Sequence, residues 1–342
     1  MDPSLVQFHR QYMQQVQNPT FPPGKYLLDG NVQNQIYKHF FDGPLKGPPA
    51  YQRKILKRII SLIESAIVDP DEDAVIDPLM EHMGYLSTLP TLPPAEAACE
   101  TQIITYTLPE FFDTPAQLTP RILIEEAPNL LAAGSNVGLR TWEASLHLAT
   151  YVHANSNLVR DKRIIELGAG TGLVSLLCAG PLAAKQVLAT DGLPHIVDAV
   201  EKNILRNHRS LFSGDAGRRM PIAKQLDWGD VQNLEEALEF DGAIPEYDLI
   251  LGADITYSPD VVPILAELLK VLMMEMFPEN GMEALIASTV RNEKTLAVFR
   301  EACRQRGLVV EDIDFECPSG KEQKGLFHEQ AFPIIIMRIR VR

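Results

Sequence analysis

RIIELGAGTGLVSLLCAG, residues 163–180, decides how the rest of the chain is read. Ile164, Ile165 and Leu167 make the short apolar run of a buried strand, and Gly168, Gly170 and Gly172 follow at alternate positions. Leu173, Leu176 and Leu177 then recur at helical spacing. The stretch predicts a strand, a tight turn and a helix. A backbone without Cβ reaches the positive φ of such a turn and lets a ligand approach closely. The spacing G-x-G-x-G departs from the dinucleotide fingerprint G-x-G-x-x-G, and Glu166 stands two residues before the first glycine. Both departures favour S-adenosylmethionine over a nicotinamide dinucleotide. That cofactor has no pyrophosphate to seat on a helix N-terminus, but it offers an ammonium group and a ribose to carboxylates. Glycine turns between strand and helix also serve packing alone, so the reading depends on its neighbours.

Outward from the turn, strands and helices alternate. QVLATD (186–191), PIAKQLDW (221–228), YDLILGAD (247–254), ALIASTV (284–290), LVVEDIDF (308–315) and AFPIIIMRIRV (331–341) bring the predicted strands to seven. Helices between them include one opening at Pro194, where a proline suits the first helical position. Such alternation implies a mainly parallel α/β sheet covered on both faces. Upstream, GLRTWEASLHLATYVHAN (138–155) reads as a helix, and QIITYT (102–107) and RILIE (121–125) as two strands that extend the main sheet.

The first 98 residues read as a helical extension, and residues 99–342 as the domain that contains the glycine turn. Leu5, Val6, Phe8, Met13 and Val16 suggest one weakly amphipathic helix. A proline- and glycine-rich passage from Pro19 to Pro49 breaks regular structure. Tyr51, Ile55, Ile59, Leu62 and Ile63 predict a second helix, and Val75, Leu79, Met80 and Met83 a third. Their apolar faces need a cover, either the main domain or a partner, and docking on the main domain is expected.

The chain has 342 residues, long enough for two domains. Its 45 acidic against 31 basic residues give a net charge of −14, which argues against a grip on nucleic-acid phosphates. Cys99, Cys178, Cys303 and Cys317 show no Cys-x-x-Cys pair, so neither a metal site nor a disulfide framework is expected. The start, MDPSLVQFHRQYMQQ, lacks a basic, apolar leader, and no uncharged apolar run reaches the ~18 residues of a membrane span. An intracellular chain with no membrane contact is expected.

In a parallel sheet of this kind, ligands sit beyond the carboxyl ends of the strands, so strand-end residues carry the chemistry. Asp191 follows the last glycine at about the interval at which an acid reaches ribose hydroxyls; a cap on the next helix is the alternative, and with the glycine turn in place the ribose role is favoured. Asp227 and Trp228 end the third strand, where a carboxylate can accept from an exocyclic amine and a ring can border an adenine; a solvated acid and a core tryptophan are the alternative. Trp142 is placed to close over a cofactor or to fill the core. Beyond the fourth strand stands Asp254-Ile-Thr-Tyr257, a carboxylate and a phenol that can converge on a substrate amine, unless Asp254 caps the following helix.

Taken in order, GLRTWEA (138–144), ELGAGTG (166–172), Asp191, LDWGD (226–230), ADITY (253–257) and STVRNEKT (288–295) resemble the eukaryotic elongation factor 2 lysine methyltransferase family, within the class I seven-strand methyltransferases. The resemblance covers about two thirds of the chain. It implies a Rossmann-like seven-stranded sheet and a monomeric cytoplasmic enzyme that transfers methyl from S-adenosylmethionine to a lysine of elongation factor 2. By the same resemblance, Trp142, Glu166, Gly168, Gly170, Gly172, Asp191, Asp227, Trp228 and Ala253 bind the cofactor, and Asp254 and Tyr257 are catalytic. Arg291 and Asn292 match a family signature without an assigned role. A class I methyltransferase acting on another protein lysine or a small amine, and a non-catalytic interaction module, are the alternatives.

Overall fold

The computed structural model describes residues 2–109, 120–130, 134–213, 218–230, 233–318, 320, 322–329 and 331–342. The chain divides into two compact units, one of residues 1–121 with 321–327 and one of residues 122–320 with 328–342.

The first unit contains α1 (Pro3–Met13), α2 (Gly24–Leu27), α3 (Gly30–Ile36), α4 (Pro49–Glu64), α5 (Asp77–Thr88), α6 (Pro94–Cys99) and β1 (Gln102–Thr107). Leu5, Phe8, Tyr12, Ile36, Phe40, Phe41, Ile55, Ile59, Ile63 and Leu79 are buried together. The helices therefore cover one another's apolar faces and form a core of their own, which corrects the expectation that those faces need the main domain as cover. The passage before Pro49 is also more ordered than its glycines and prolines suggest. Asp29 Oδ1 accepts from Asn31 N at 2.7 Å and caps α3. Val32, Ile36 and Phe40 then follow at four-residue intervals into the core, through a π-helical turn at Tyr37–Phe41.

The second unit is the α/β sheet. After β2 (Arg121–Glu126) and α7 (Glu143–Ala154), β3 (Arg163–Leu167), β4 (Gln186–Asp191), β5 (Ile222–Gln225), β6 (Leu249–Ala253), β7 (Glu283–Thr289), β8 (Leu308–Ile313) and β9 (Ile334–Val341) form seven strands in the order β5-β4-β3-β6-β7-β9-β8. Five are parallel: Ile165 pairs with Leu188 of β4 on one side and with Ile250 of β6 on the other. β9 runs antiparallel between β7 and β8. The helices α8 (Leu173–Ala179), α9 (Pro194–Asn207), α10 (Leu234–Leu238), α11 (Val262–Lys270) and α12 (Glu293–Gln305) fall between the strands, with Pro194 in the first turn of α9 as expected. Ile165, Leu188, Ile250, Ile286, Leu265, Leu269 and Phe299 belong to one continuous core of buried residues. Strand order reverses between β3 and β6, which locates the ligand crevice at their carboxyl ends.

The seven-stranded sheet takes in neither β1 nor β2, contrary to expectation. On β2 the physical reason is visible. Asn207 and Asn203, one turn apart on α9, accept from Leu123 N at 2.9 Å and Glu125 N at 2.8 Å, and their amide groups donate back to the carbonyls of the same two residues. Two side-chain amides thus satisfy the backbone groups that a neighbouring strand would otherwise pair. Among the described residues, no helix is long and apolar enough to cross a membrane.

Candidate active site

A cavity of about 470 Å³ lies at the carboxyl ends of β3, β4, β5, β6 and β7. Its walls bring together Trp142, Gly168, Gly170, Asp191, Asp227, Trp228, Ala253, Asp254 and Tyr257, with Arg140, Leu193, Ile255, Ile264 and Arg291 beside them. That volume falls in the ~300–1,000 Å³ range of sites for small ligands and cofactors.

The glycine turn makes the floor. Gly168, Gly170 and Gly172 have φ of +64°, +55° and +80°, the left-handed region that residues with a Cβ enter only at a cost. At Gly168 a Cβ would come within 2.7 Å of Ile255 Cγ2, so the cradle exists only without a side chain there. Ala169 N donates to Thr190 O at 2.8 Å and fastens the turn to the end of β4. Asp191 Oδ2 accepts from Gly170 N at 3.2 Å and its Oδ1 from Leu193 N at 3.3 Å. It makes no helix cap, since α9 has Leu193 as its N-cap and no side-chain cap. Burial pushes the Asp191 carboxyl above its ordinary range, against the lowering effect of those backbone N–H groups.

Asp227 is exposed, and its Oδ1 accepts from Gly229 N at 2.9 Å. Trp228 combines both sequence readings: its ring packs against the core and also lines the cavity. Its Nε1 is buried without a hydrogen-bond partner, a donor that a ligand can satisfy. A glycine cradle, two carboxylates and an indole fit a cofactor with hydroxyls, amines and a flat base.

On the facing wall, Asp254 holds φ of +57° just beyond β6. Its backbone N donates to Ala287 O at 2.8 Å, and its Oδ1 accepts from Thr289 N at 3.1 Å. Its Oδ2 pairs with Arg291 Nη1 at 3.0 Å, and the carboxylate is only 10% exposed. These partners lie at the end of β7 and in the loop beyond it, so Asp254 ties two strand ends together and is no cap for α11. Arg291 reaches on to Trp142, its Cζ 5.6 Å from the ring centroid, while Arg140 Cζ lies 4.5 Å from the same ring. Both fall inside the ~6 Å range of cation–π attraction. Trp142 is further fixed by donating from Nε1 to Val137 O at 2.9 Å. Tyr257 is 63% exposed at the rim. Asn292, which sequence left unassigned with Arg291, caps α12 by accepting from Lys294 N at 2.9 Å.

Glu166 and Gly172 do not line the cavity. Gly172 is the left-handed N-cap of α8. Glu166, expected to face a ligand, is 2% exposed and accepts from Ser175 Oγ on α8. Strand alternation explains the correction: a residue one position before the strand end faces the covering helix, not the crevice. Burial pushes its pKa up to about 7, against the Ser175 hydrogen bond. A folded-state value above the unfolded ~4.3 means that the stabilising protonated form is fully present below that unfolded value. Its contribution is lost as pH rises through about 7. Glu166→Gln, neutral at every pH, is expected to raise the melting temperature by a few degrees at pH 8 and hardly at pH 5. Equal shifts at both pH values in thermal unfolding would overturn this reading of Glu166.

Arg140, inside GLRTWEA, lines the cavity, and a charged residue within that motif is the sequence signal for it. Leu193, Ile255 and Ile264 carry no chemical signature and join the site only through the fold.

A sequence profile described as lysine methyltransferase matches residues 130–304. The chain is 38% identical to the protein-lysine N-methyltransferase EFM3 of Chaetomium thermophilum, over 99% of this chain and 98% of that protein. It is 28% identical to the protein-lysine N-methyltransferase EFM3 of Saccharomyces cerevisiae over 55% of each chain. With the human protein-lysine N-methyltransferase EEF2KMT it shares 25% identity over 64% of this chain and 63% of that one.

Proposed function

Because the chain belongs to the lysine methyltransferase family and is an S-adenosylmethionine-dependent protein-lysine N-methyltransferase, we propose that its substrate is a lysine of eukaryotic elongation factor 2, methylated in the cytoplasm by a monomer. The substrate assignment is supported by the order of motifs from GLRTWEA to STVRNEKT. It also draws on the likeness to relatives named as protein-lysine methyltransferases over the same region.

The observation that carries the site assignment is the convergence of Asp254 and Tyr257 on the cavity that holds the glycine turn, Asp191 and Trp228. In this reading Asp191 holds the ribose, Trp228 and Asp227 border the adenine, and Gly168, Gly170, Trp142 and Ala253 shape the passage to the methyl group. S-adenosylmethionine supplies an electrophilic methyl on a sulfonium. The chain's part is to present a neutral amine in line with it.

A lysine at its reference pKa of about 10.4 is almost wholly protonated at pH 7, and a bare carboxylate beside it would hold the proton on. Arg291, 3.0 Å from Asp254 Oδ2, offsets that effect. Asp254 thus keeps lone pairs to receive the amine's N–H groups and orient its nitrogen, while the guanidinium lowers the cost of losing the ammonium proton. As positive charge develops on the attacking nitrogen, the same carboxylate stabilises it. Tyr257 forms an aromatic wall for the lysine stem at the rim.

The test is incubation of the purified chain with labelled S-adenosylmethionine and unmethylated elongation factor 2, followed by mass spectrometry of its peptides. Methyl on a lysine of the factor is the expected result. No transfer to it, with cofactor binding intact, would overturn the substrate and redirect the search to other lysine-bearing proteins.

A further inference from the structure

We propose that His147, Cys317 and His328 form a binding site for one zinc ion on the side of the second unit formed by α7 and the segment before β9. His147 lies on α7, and the other two lie within the segment that leads from β8 to β9. Nothing in their spacing, 147, 317 and 328, announces a metal site, since zinc motifs are recognised by pairs a few residues apart.

The geometry carries the proposal. One nitrogen or sulfur atom from each side chain lies within 4.8 Å of the other two. His328 Nε2 is 3.4 Å from His147 Nδ1 and 3.7 Å from Cys317 Sγ. A tetrahedral zinc with bonds of ~2.0–2.1 Å to nitrogen and ~2.3 Å to sulfur has edges of about 3.4 Å between two nitrogens and about 3.6 Å between nitrogen and sulfur. The two separations from His328 match those edges, and the third, between His147 and Cys317, is within 4.8 Å. The nitrogen–nitrogen separation of 3.4 Å is long for a direct N–H···N hydrogen bond, whose usual length is about 2.9–3.0 Å.

The surroundings favour a cation of this type. Both imidazoles are buried, Cys317 is partly exposed, and the two rings stand at 85° to each other. Phe315 packs edge-on against His147 and against Tyr151 of the same helix, which holds the cluster in an apolar wall. Two imidazoles and a thiolate are borderline-soft ligands that suit zinc and exclude calcium or magnesium, which take oxygen. Three protein ligands leave a fourth position for water on the Cys317 side. Because Trp142, the N-cap of α7, and Ser145 within it line the cavity, a bound ion would pin that helix to the chain before β9.

The test uses the full chain, free of any affinity tag, reduced and stripped of metal by chelator, with Co²⁺ as a spectroscopic probe. One Co²⁺ per chain, with the intense visible bands of tetrahedral cobalt and a thiolate-to-metal charge-transfer band, is expected. Zn²⁺ should displace it, and Zn²⁺ should raise the melting temperature of the stripped protein. Cys317→Ser should remove the charge-transfer band, and His328→Gln should weaken binding about tenfold or more. A wild-type spectrum without tetrahedral and thiolate bands overturns the proposal without reference to any variant. Binding by wild type no tighter than by the Cys317→Ser, His328→Gln double variant overturns it as well.

Discussion

Asp254→Asn is expected to lower methyl transfer by about 10²–10³-fold, the size typical of losing one preorganised electrostatic group, while S-adenosylmethionine affinity stays within about twofold of wild type. Asparagine is the informative replacement for two reasons. It tolerates the left-handed backbone at φ +57° better than most residues. Its side-chain oxygen can also go on accepting from Thr289 N, now 3.1 Å from Asp254 Oδ1. What it removes is the charge that pairs with Arg291 and that, in the proposed mechanism, faces the amine. Asp254→Ala should lose transfer to the same extent and stability as well, because it abandons the Thr289 hydrogen bond and places a less tolerant residue in the same backbone region. Transfer assays and calorimetry of cofactor binding on both variants, with thermal unfolding, separate chemistry from folding. An asparagine variant that turns over normally would leave Asp254 with only its structural tie between the ends of β6 and β7.

Gly170→Asp is expected to abolish S-adenosylmethionine binding, an affinity loss of more than about 100-fold, in a chain that still folds. The position has φ +55°, where an aspartate is strained less than most side chains, so the backbone penalty is about 1 kcal/mol and not a bar to folding. A Cβ there stands 3.3 Å from Gly138 O, so the opposite wall must give way slightly. The carboxylate beyond it adds a second negative charge beside Asp191, whose Oδ2 already receives Gly170 N at 3.2 Å. The side chain therefore takes up space on the cavity floor, and its repulsion of Asp191 disturbs the carboxylate proposed to hold the ribose. Calorimetric titration alongside circular dichroism checks it, and unchanged affinity in a folded variant would sink the assignment of this cavity to the cofactor.

Much of the second unit was legible because its signals are local. A run such as RIIEL needs only its own apolar residues to predict a strand, and Gly168, Gly170 and Gly172 announce a turn whose positive φ values the backbone indeed adopts. Asp191, Asp227, Trp228 and Asp254 could be singled out because a parallel sheet brings all its carboxyl ends to one crevice.

What the sequence did not contain is direction and partnership across distance. Glu166 has the look of a ligand-holding acid, yet strand alternation turns it beneath α8 toward Ser175. Asn203 and Asn207 read as ordinary helix polar residues, and only packing shows them standing in for a strand beside β2. Asp254 meets Arg291 across 37 residues, and His147 meets Cys317 and His328 across more than 150. Such pairs follow no period and no fixed interval. They are set by which strand lies beside which and by which face each side chain takes, so tertiary structure alone decided them, while the residues' own conformational preferences determined the strands, the turn and the acids at their ends.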